Sequence, residues 1–298
     1  MALSAAATFA EPSFADPAFA GSTLSQRAIL HRSRGSSHGP ITRLVSPSDL
    51  GQLLKPFIFL DRFESPEGGE PPRFGMHPHS GIATLTYLIH GQAAYEDTTG
   101  EHGARGTLPT GGVEWMMAGG GVWHTGAPAN TAHVLGFQLW VAMPPALELA
   151  TAYSLYLGPQ DVPRAGPARV LLGAYAGQAS AIPAPSSLTY LAVHLKAGEA
   201  WRFDPPAAHT VTWVAVGEGV LSVPAAMAEG DLVVFDDSVS PIDFVAQTDT
   251  VFMLGSGVLH PHDLLTGPYS VHTSGETLRQ GQAGIRERAQ LLRQQGRL

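Results

Sequence analysis

Apolar and polar positions alternate with a period of two over short runs that recur closely along the chain. Residues 82–89, 92–96, 105–108, 114–118 and 134–141 read as strands. Strand and loop over 27–45 and a short apolar run over 56–61 precede them. Turn signals at Thr99-Gly100 and Thr110-Gly111-Gly112 separate the runs. Such spacing predicts an all-β barrel or sandwich rather than a βαβ fold. Residues 64–74 are rich in Pro, Gly and Glu and predict a loop walling a pocket mouth. A second cycle follows Pro144-Pro145, with strands at 170–175, 188–195, 211–216, 219–223, 231–235 and 251–254. Its turns at Ala197-Gly198-Glu199 and Gly230-Asp231 echo the first half, the mark of a weak internal repeat of two barrels. From Gly275 the period changes. Leu278, Ile285, Ala289, Leu291 and Leu292 alternate with Arg and Gln as in a moderately amphipathic helix. Gly281, Gly284 and Gly296 weaken that helix.

Composition narrows the reading. The 298 residues are enough for two medium domains or one large one, and 44% hydrophobic content supplies ample core. The 34 glycines and 24 prolines favour short strands and tight turns. A net charge of −8 removes the usual electrostatic footprint for direct nucleic-acid binding. Cysteine is absent, which excludes disulfides, thiolate zinc sites, iron–sulfur clusters and a catalytic thiol. Residues 1–22 lack a basic start and carry Glu11, Asp16, Pro12 and Pro17, so they read as a flexible tail, not a secretory signal. No run approaches the roughly 20 apolar residues of a membrane span. The expectation is a cytoplasmic protein without a membrane partner.

The candidate chemistry lies between residues 75 and 125. His77 and His79 stand two apart, which puts both imidazoles on one strand face, in a stretch that then alternates like a strand through Ile82, Thr84, Thr86 and Leu88. His124 follows the glycine-rich stretch Ala118-Gly119-Gly120-Gly121. Two histidines on one strand and a third from a neighbour can converge on a divalent cation inside a small barrel. The motifs GMHPHSGIATLTYLIHG and WMMAGGGVWHTG resemble the pirin family, a branch of the bicupins. So do LGQLLKPFIFLDRFE upstream and GFQLWVAMP and GPYSVHT downstream; together they cover roughly residues 25–280 in family order. The resemblance implies two tandem cupin barrels. The expected organisation is a tail over 1–22, a metal-bearing barrel over 23–145, a metal-free barrel over 146–273 and a helix over 274–298 packing on the body.

One departure alters the chemistry. Pirins complete their metal set with a Glu two residues after the third histidine, and here that position is Gly126; a second family Glu is replaced by Ala83. The expected metal set is therefore His77, His79 and His124, without a carboxylate, holding one divalent ion. Iron comes first, with zinc, manganese or nickel as alternatives. Loss of metal is expected on acidification through about pH 6, the imidazole range. Glu114 is the candidate catalytic carboxylate, weighed against a solvated or salt-bridged strand residue. Family position makes Gln138 and Tyr87 candidate pocket groups, with Trp123 as a further lining candidate, although Trp115, Met116, Met117 and Trp123 fit plain core as well. The second HPH, His260-Pro261-His262, reads as a decoy outside the ligand-bearing strands. His90, His102 and His133 read as surface residues, His194 and His209 as surface or core partners. The resemblance implies a quercetin 2,3-dioxygenase-like oxidoreductase using O₂ on a small enol, phenol or flavonol-like compound. The alternative is a non-enzymatic metal-binding or regulatory protein with a degenerate site.

Overall fold

The computed structural model describes residues 27–65, 68, 74–100, 104–129 and 133–298. The predicted tail, most of the predicted 64–74 loop and His102 lie outside the described residues. The first half contains β1 (Ile29–Ser33), β2 (Ser36–His38), β3 (Ile41–Val45), α1 (Leu50–Leu54) and β4 (Phe57–Ser65). Then follow β5 (Phe74–His79), β6 (Ile82–His90), β7 (Gln92–Asp97) and β8 (Ala104–Pro109). It closes with β9 (Val113–Met117), β10 (Val122–Pro128), β11 (Val134–Ala142) and β12 (Tyr153–Leu157). Strands β2 to β12 form two antiparallel sheets, a seven-stranded one ordered β12-β9-β6-β11-β4-β3-β2 and a four-stranded one ordered β5-β10-β7-β8.

The second half repeats the plan. Its strands are β13 (Arg164–Ala165), β14 (Ala168–Tyr175), β15 (Gln178–Ala179), β16 (Leu188–Leu195), β17 (Ala200–Phe203), β18 (Val211–Glu218) and β19 (Val220–Val223). They continue as β20 (Ala225–Ala228), β21 (Leu232–Phe235), β22 (Ile242–Ala246), β23 (Thr250–Gly257), β24 (Leu265–Gly267) and β25 (Ser270–His272), before α2 (Gly275–Gln294). The larger sheet runs β1-β21-β18-β23-β16-β14-β13, with β15 on β14, and the smaller runs β17-β22-β19-β20. The fold is all-β, a pair of tandem cupin-type barrels with a C-terminal helix. One strand crosses over: β1 pairs with β21 of the second half.

Strand parity explains the core. All of β6 except its last residue is buried, because both of its faces are covered. Leu85, Tyr87 and Ile89 point outward from their own barrel. They join Phe137, Leu139 and Trp115 against Leu172, Tyr190, Trp213 and Ala215 of the second half. Phe57 meets Trp213 edge-on at 5.6 Å. The opposite parity, Ile82, Thr84, Thr86 and Leu88, points into the first barrel. There Ile82 packs with Met116 and Val122, and Leu88 with Phe63, Leu108 and Val134.

The glycines of α2 are contact residues, not blemishes. Ser274 caps the helix by accepting from the Thr277 N–H at 3.1 Å. A Cβ at Gly284 would lie 2.1 Å from the Gly120 carbonyl oxygen, and one at Gly281 would lie 2.4 Å from Ser80 Oγ. The helix backbone therefore rests directly on the glycine loop that precedes the third histidine, which residues with side chains would prevent.

Candidate metal centre

The HPH segment lies on β5, not on the strand that continues through Ile82. Ser80 and Gly81 turn the chain out of the four-stranded sheet and into the seven-stranded one. β10 lies beside β5 with His124 opposite His77, so all three imidazoles rise from adjacent strands of one sheet. They form the one group among the described residues with metal-ligating atoms gathered within 4.8 Å. His79 is fully buried, His124 nearly so, and His77 partly exposed.

Backbone acceptors set the tautomers. His77 Nδ1 is 2.7 Å from the Gly75 carbonyl oxygen, and His79 Nδ1 is 3.1 Å from that of Tyr269. A carbonyl only accepts, so both Nδ1 atoms carry the proton and both Nε2 atoms present bare lone pairs. His124 Nε2 stands 2.9 Å from His77 Nε2 and 3.1 Å from His79 Nε2. It can donate to at most one of them, so at least one of the two lone pairs is left without a donor at about 3 Å. A cation resolves that conflict. Two nitrogens each roughly 2.1 Å from a common ion sit about 3 Å apart when they subtend a right angle. The donor set thus fits a divalent metal. Burial pushes His79 down to about 3, His124 well below the usual imidazole range, and His77 down as well. All three are therefore neutral donors at physiological pH.

The histidines open onto a cleft of about 580 Å³, open solvent at its mouth included. Phe63, Phe74, Leu108 and Val134 supply its apolar walls. Thr86, Glu114, Thr125 and Gln138 join His77 and His124 as its polar groups. No Lys or Arg lines it among the described residues.

Each remaining sequence candidate has a definite place. Gln138 lines the cleft. Tyr87 does not: the odd parity of β6 sends it between the barrels, where its hydroxyl meets His194 Nε2 at 3.2 Å. Trp123 does not either, since it alternates with His124 on β10. Its indole N–H donates instead to the Ile285 carbonyl of α2 at 3.0 Å. Glu114 corrects the expectation of a solvated or ion-paired side chain. β9 lies between β12 and β6 with all five residues buried, so Glu114 is 7% exposed and faces the cleft. Burial pushes its carboxyl up to about 7; a hydrogen bond from Thr86 opposes the rise and the charge of Asp97 adds to it. The second HPH is engaged elsewhere: buried His260 donates through Nε2 to the Met143 carbonyl at 3.2 Å. His90 pairs with Glu218 at 2.6 Å and His133 with Glu64 at 3.0 Å, both half-buried. His209 is buried and meets Ser187 Oγ at 3.0 Å.

Sequence reasoning missed the carbonyls of Gly75 and Tyr269, which have no side-chain signature. It also missed Thr86, whose role was visible in its parity with Ile82 and Leu88. Tyr156 and Asp97 escaped notice for want of β12, whose five residues alternate weakly and are all half-buried.

Comparison with known proteins bears on this geometry. Residues 40–141 match the family model described as Pirin. A pirin-like protein from Solanum lycopersicum is 28% identical over 85% of this chain and 88% of its own length. A Pseudomonas aeruginosa protein named "Putative quercetin 2,3-dioxygenase" is 30% identical over 73% of this chain and 80% of its own. The crystal structure of quercetin 2,3-dioxygenase from Acinetobacter baumannii superposes with a TM-score of 0.78 at 24% identity. That match covers 87% of this chain and 96% of the other, a likeness of fold.

Proposed function

This chain belongs to the pirin family, and from that premise we propose that it is a metal-dependent dioxygenase. Its substrate would be a small enol, phenol or flavonol-like compound. The observation that carries the reading is the convergence of three Nε2 atoms, two with their tautomer fixed by backbone carbonyls, at the foot of a largely apolar cleft. His77, His79 and His124 would hold one divalent ion, iron first, with zinc, manganese or nickel able to take the same nitrogens. When bound, the ion supplies positive charge that favours the anion of a coordinated hydroxyl and a site for O₂. Three neutral ligands leave that charge uncancelled, so the site selects substrates that are anionic or become so. The apolar walls exclude water and leave substrate polarity to Thr86, Glu114 and Gln138. His79, shielded by Trp140 at 4.8 Å, is kept out of reach of solvent.

A second reading, a metal-binding regulatory protein without turnover, is favoured by one observation: the family's carboxylate ligand is Gly126 here. Elemental analysis of untagged protein purified with and without air, followed by oxygen uptake with flavonols, separates the two. A redox metal with substrate-dependent uptake supports the enzyme. Zinc without uptake supports the regulator. His77→Ala and His124→Ala should each remove most bound metal, while His260→Ala leaves it unchanged; equal loss from His260→Ala would place the site in the wrong half.

A further inference from the structure

We propose that Glu114 accepts the proton of an acidic substrate hydroxyl in the cleft, taking over the task of the carboxylate that position 126 lacks. Gln138 steadies the neighbouring substrate oxygen. This rests on the three-histidine reading of the site.

The argument begins with strand register. Tyr156 lies opposite Glu114, Glu114 opposite Thr86, and Thr86 opposite Gln138. Gln138 in turn lies opposite Asp61, and Asp61 opposite Arg43. One transverse row of the seven-stranded sheet is thus polar across six strands, with the apolar clusters around Ile82 and around Leu88 on either side. The outer members of this row are satisfied. Arg43 and Asp61 pair through two contacts of 2.7 and 3.0 Å. Tyr156 donates to Asp97 Oδ2 at 2.6 Å. The three central members, Glu114, Thr86 and Gln138, line the cleft with His77 and His124.

Two carboxyl groups lie near the centre, and their surroundings differ. Asp97 accepts from the N–H groups of Thr99 and Ala104 and from the hydroxyls of Thr99, Ser154 and Tyr156. Five donors saturate its oxygens. Among the described residues Glu114 has Thr86 as its hydrogen-bond partner and no Lys or Arg lines the cleft beside it, so it keeps lone pairs for a ligand. The titratable groups facing it are Tyr156 on β12, Tyr95 and Asp97 on β7, and His77 and His124 across the cleft. Burial poises the carboxyl near neutrality, where a proton acceptor works best. The step balances without a further reactant. The hydroxyl O–H bond breaks, the proton bonds a Glu114 oxygen, and the electron pair stays on the substrate oxygen that faces the histidines.

The test uses redox-silent Zn(II)-loaded protein and 3-hydroxyflavone, whose anion is distinguished from the neutral form by absorbance. Proton release is followed with a pH indicator in weak buffer at about pH 8. The wild type should bind the anion with little release, because the proton stays on Glu114. Glu114→Gln, close in size and still able to bond Thr86, should release roughly one more proton per bound anion. Glu114→Asp should restore the wild-type stoichiometry. Equal release from wild type and Glu114→Gln overturns the inference, and so does release from Glu114→Asp that matches Glu114→Gln. Binding of the probe by metal-free and metal-loaded wild type alike would instead overturn the functional reading on which the inference rests.

Discussion

Replacing Glu114 by Gln should stabilise the metal-free protein, and more so as the pH rises. The folded environment moves this carboxyl from its ordinary 4.5 up to about 7, chiefly because burial disfavours the charged form. A folded pKa above the unfolded one means that the folded state holds the extra proton between those values. Stability is therefore lost as the pH climbs from about 4.5 to about 7, the reverse of an ion-paired carboxylate. The shift of about 2.5 units corresponds to about 3 kcal/mol at 1.36 kcal/mol per unit. Roughly 2.5 kcal/mol of that falls between pH 5 and pH 8. The buried histidines have lowered pKa values and add stability over part of this window. Their contribution is common to both proteins and cancels in the difference. Urea unfolding of chelator-stripped wild type and Glu114→Gln at half-unit pH steps measures that difference directly, and it also removes any pH-independent cost of fitting the amide. The variant's advantage should grow steadily with pH, and by pH 8 its melting temperature should lead by several degrees. A stability difference that stays flat across the window would refute the claim that Glu114 is a desolvated, unpaired carboxyl.

Gly126→Glu should fold, because a Cβ there meets nothing nearer than the Ala94 carbonyl oxygen at 3.8 Å and its φ is not left-handed. Metal affinity should rise tenfold or more, about 1.4 kcal/mol, by isothermal titration; an unchanged affinity in a folded variant would show that the fourth position is already filled. Metal retention after dialysis should persist below pH 6, lower than the free-imidazole range expected from the sequence, since burial keeps the three imidazoles from competing for protons where free histidine would. Half-loss at pH 6.5 or above would contradict this. Gly284→Ala should cost about 1–3 kcal/mol in unfolding experiments, because its methyl would drive into the Gly120 carbonyl, whereas a neutral result would mean that α2 is not seated on that loop.

The barrel strands were legible because period-two alternation survives wherever one face is wet or the run is bounded by turns. Residues 82–89 and 134–141 were read nearly to their observed ends. β12, β17 and β22 were not, being short and only partly alternating. The boundary between β5 and β6 was lost for a different reason. The inward positions shift from odd (His77, His79) to even (Ile82, Thr84) across Ser80-Gly81, a one-residue slip that is easily passed over between two alternating runs and that carries the chain from one sheet to the other. The crossing of β1 onto β21 is equally silent, since a strand does not encode its partner. The helix was read as weakened by Gly281 and Gly284, where propensity says so correctly for an isolated helix. Only the position of Gly120 against its backbone explains why those glycines sit there.

The site divides in the same way. The spacing of His77 and His79 is local information, His124 was legible from the order of the motifs around it, and the structure brings these three together. Glu114 is non-local. Its burial depends on β12 covering the far edge of β9, and its company on the register that sets Thr86 and Gln138 beside it. A charged residue in an apolar strand therefore read as solvated. The two positions also differ in what a carboxylate there would do. Position 126 lies on β10, two residues beyond His124 on the same strand, where an anion would join the ligands and cancel part of the ion's charge. Position 114 lies on the seven-stranded sheet, outside the histidine cluster. An anion there leaves the three neutral donors alone and, on the proposal above, would meet the substrate instead. On that proposal, a carboxylate moved between sheets would separate proton transfer from metal binding, which one residue would otherwise combine. Gly126→Glu and Glu114→Gln act on the two tasks independently, so metal affinity should follow the first and proton stoichiometry the second.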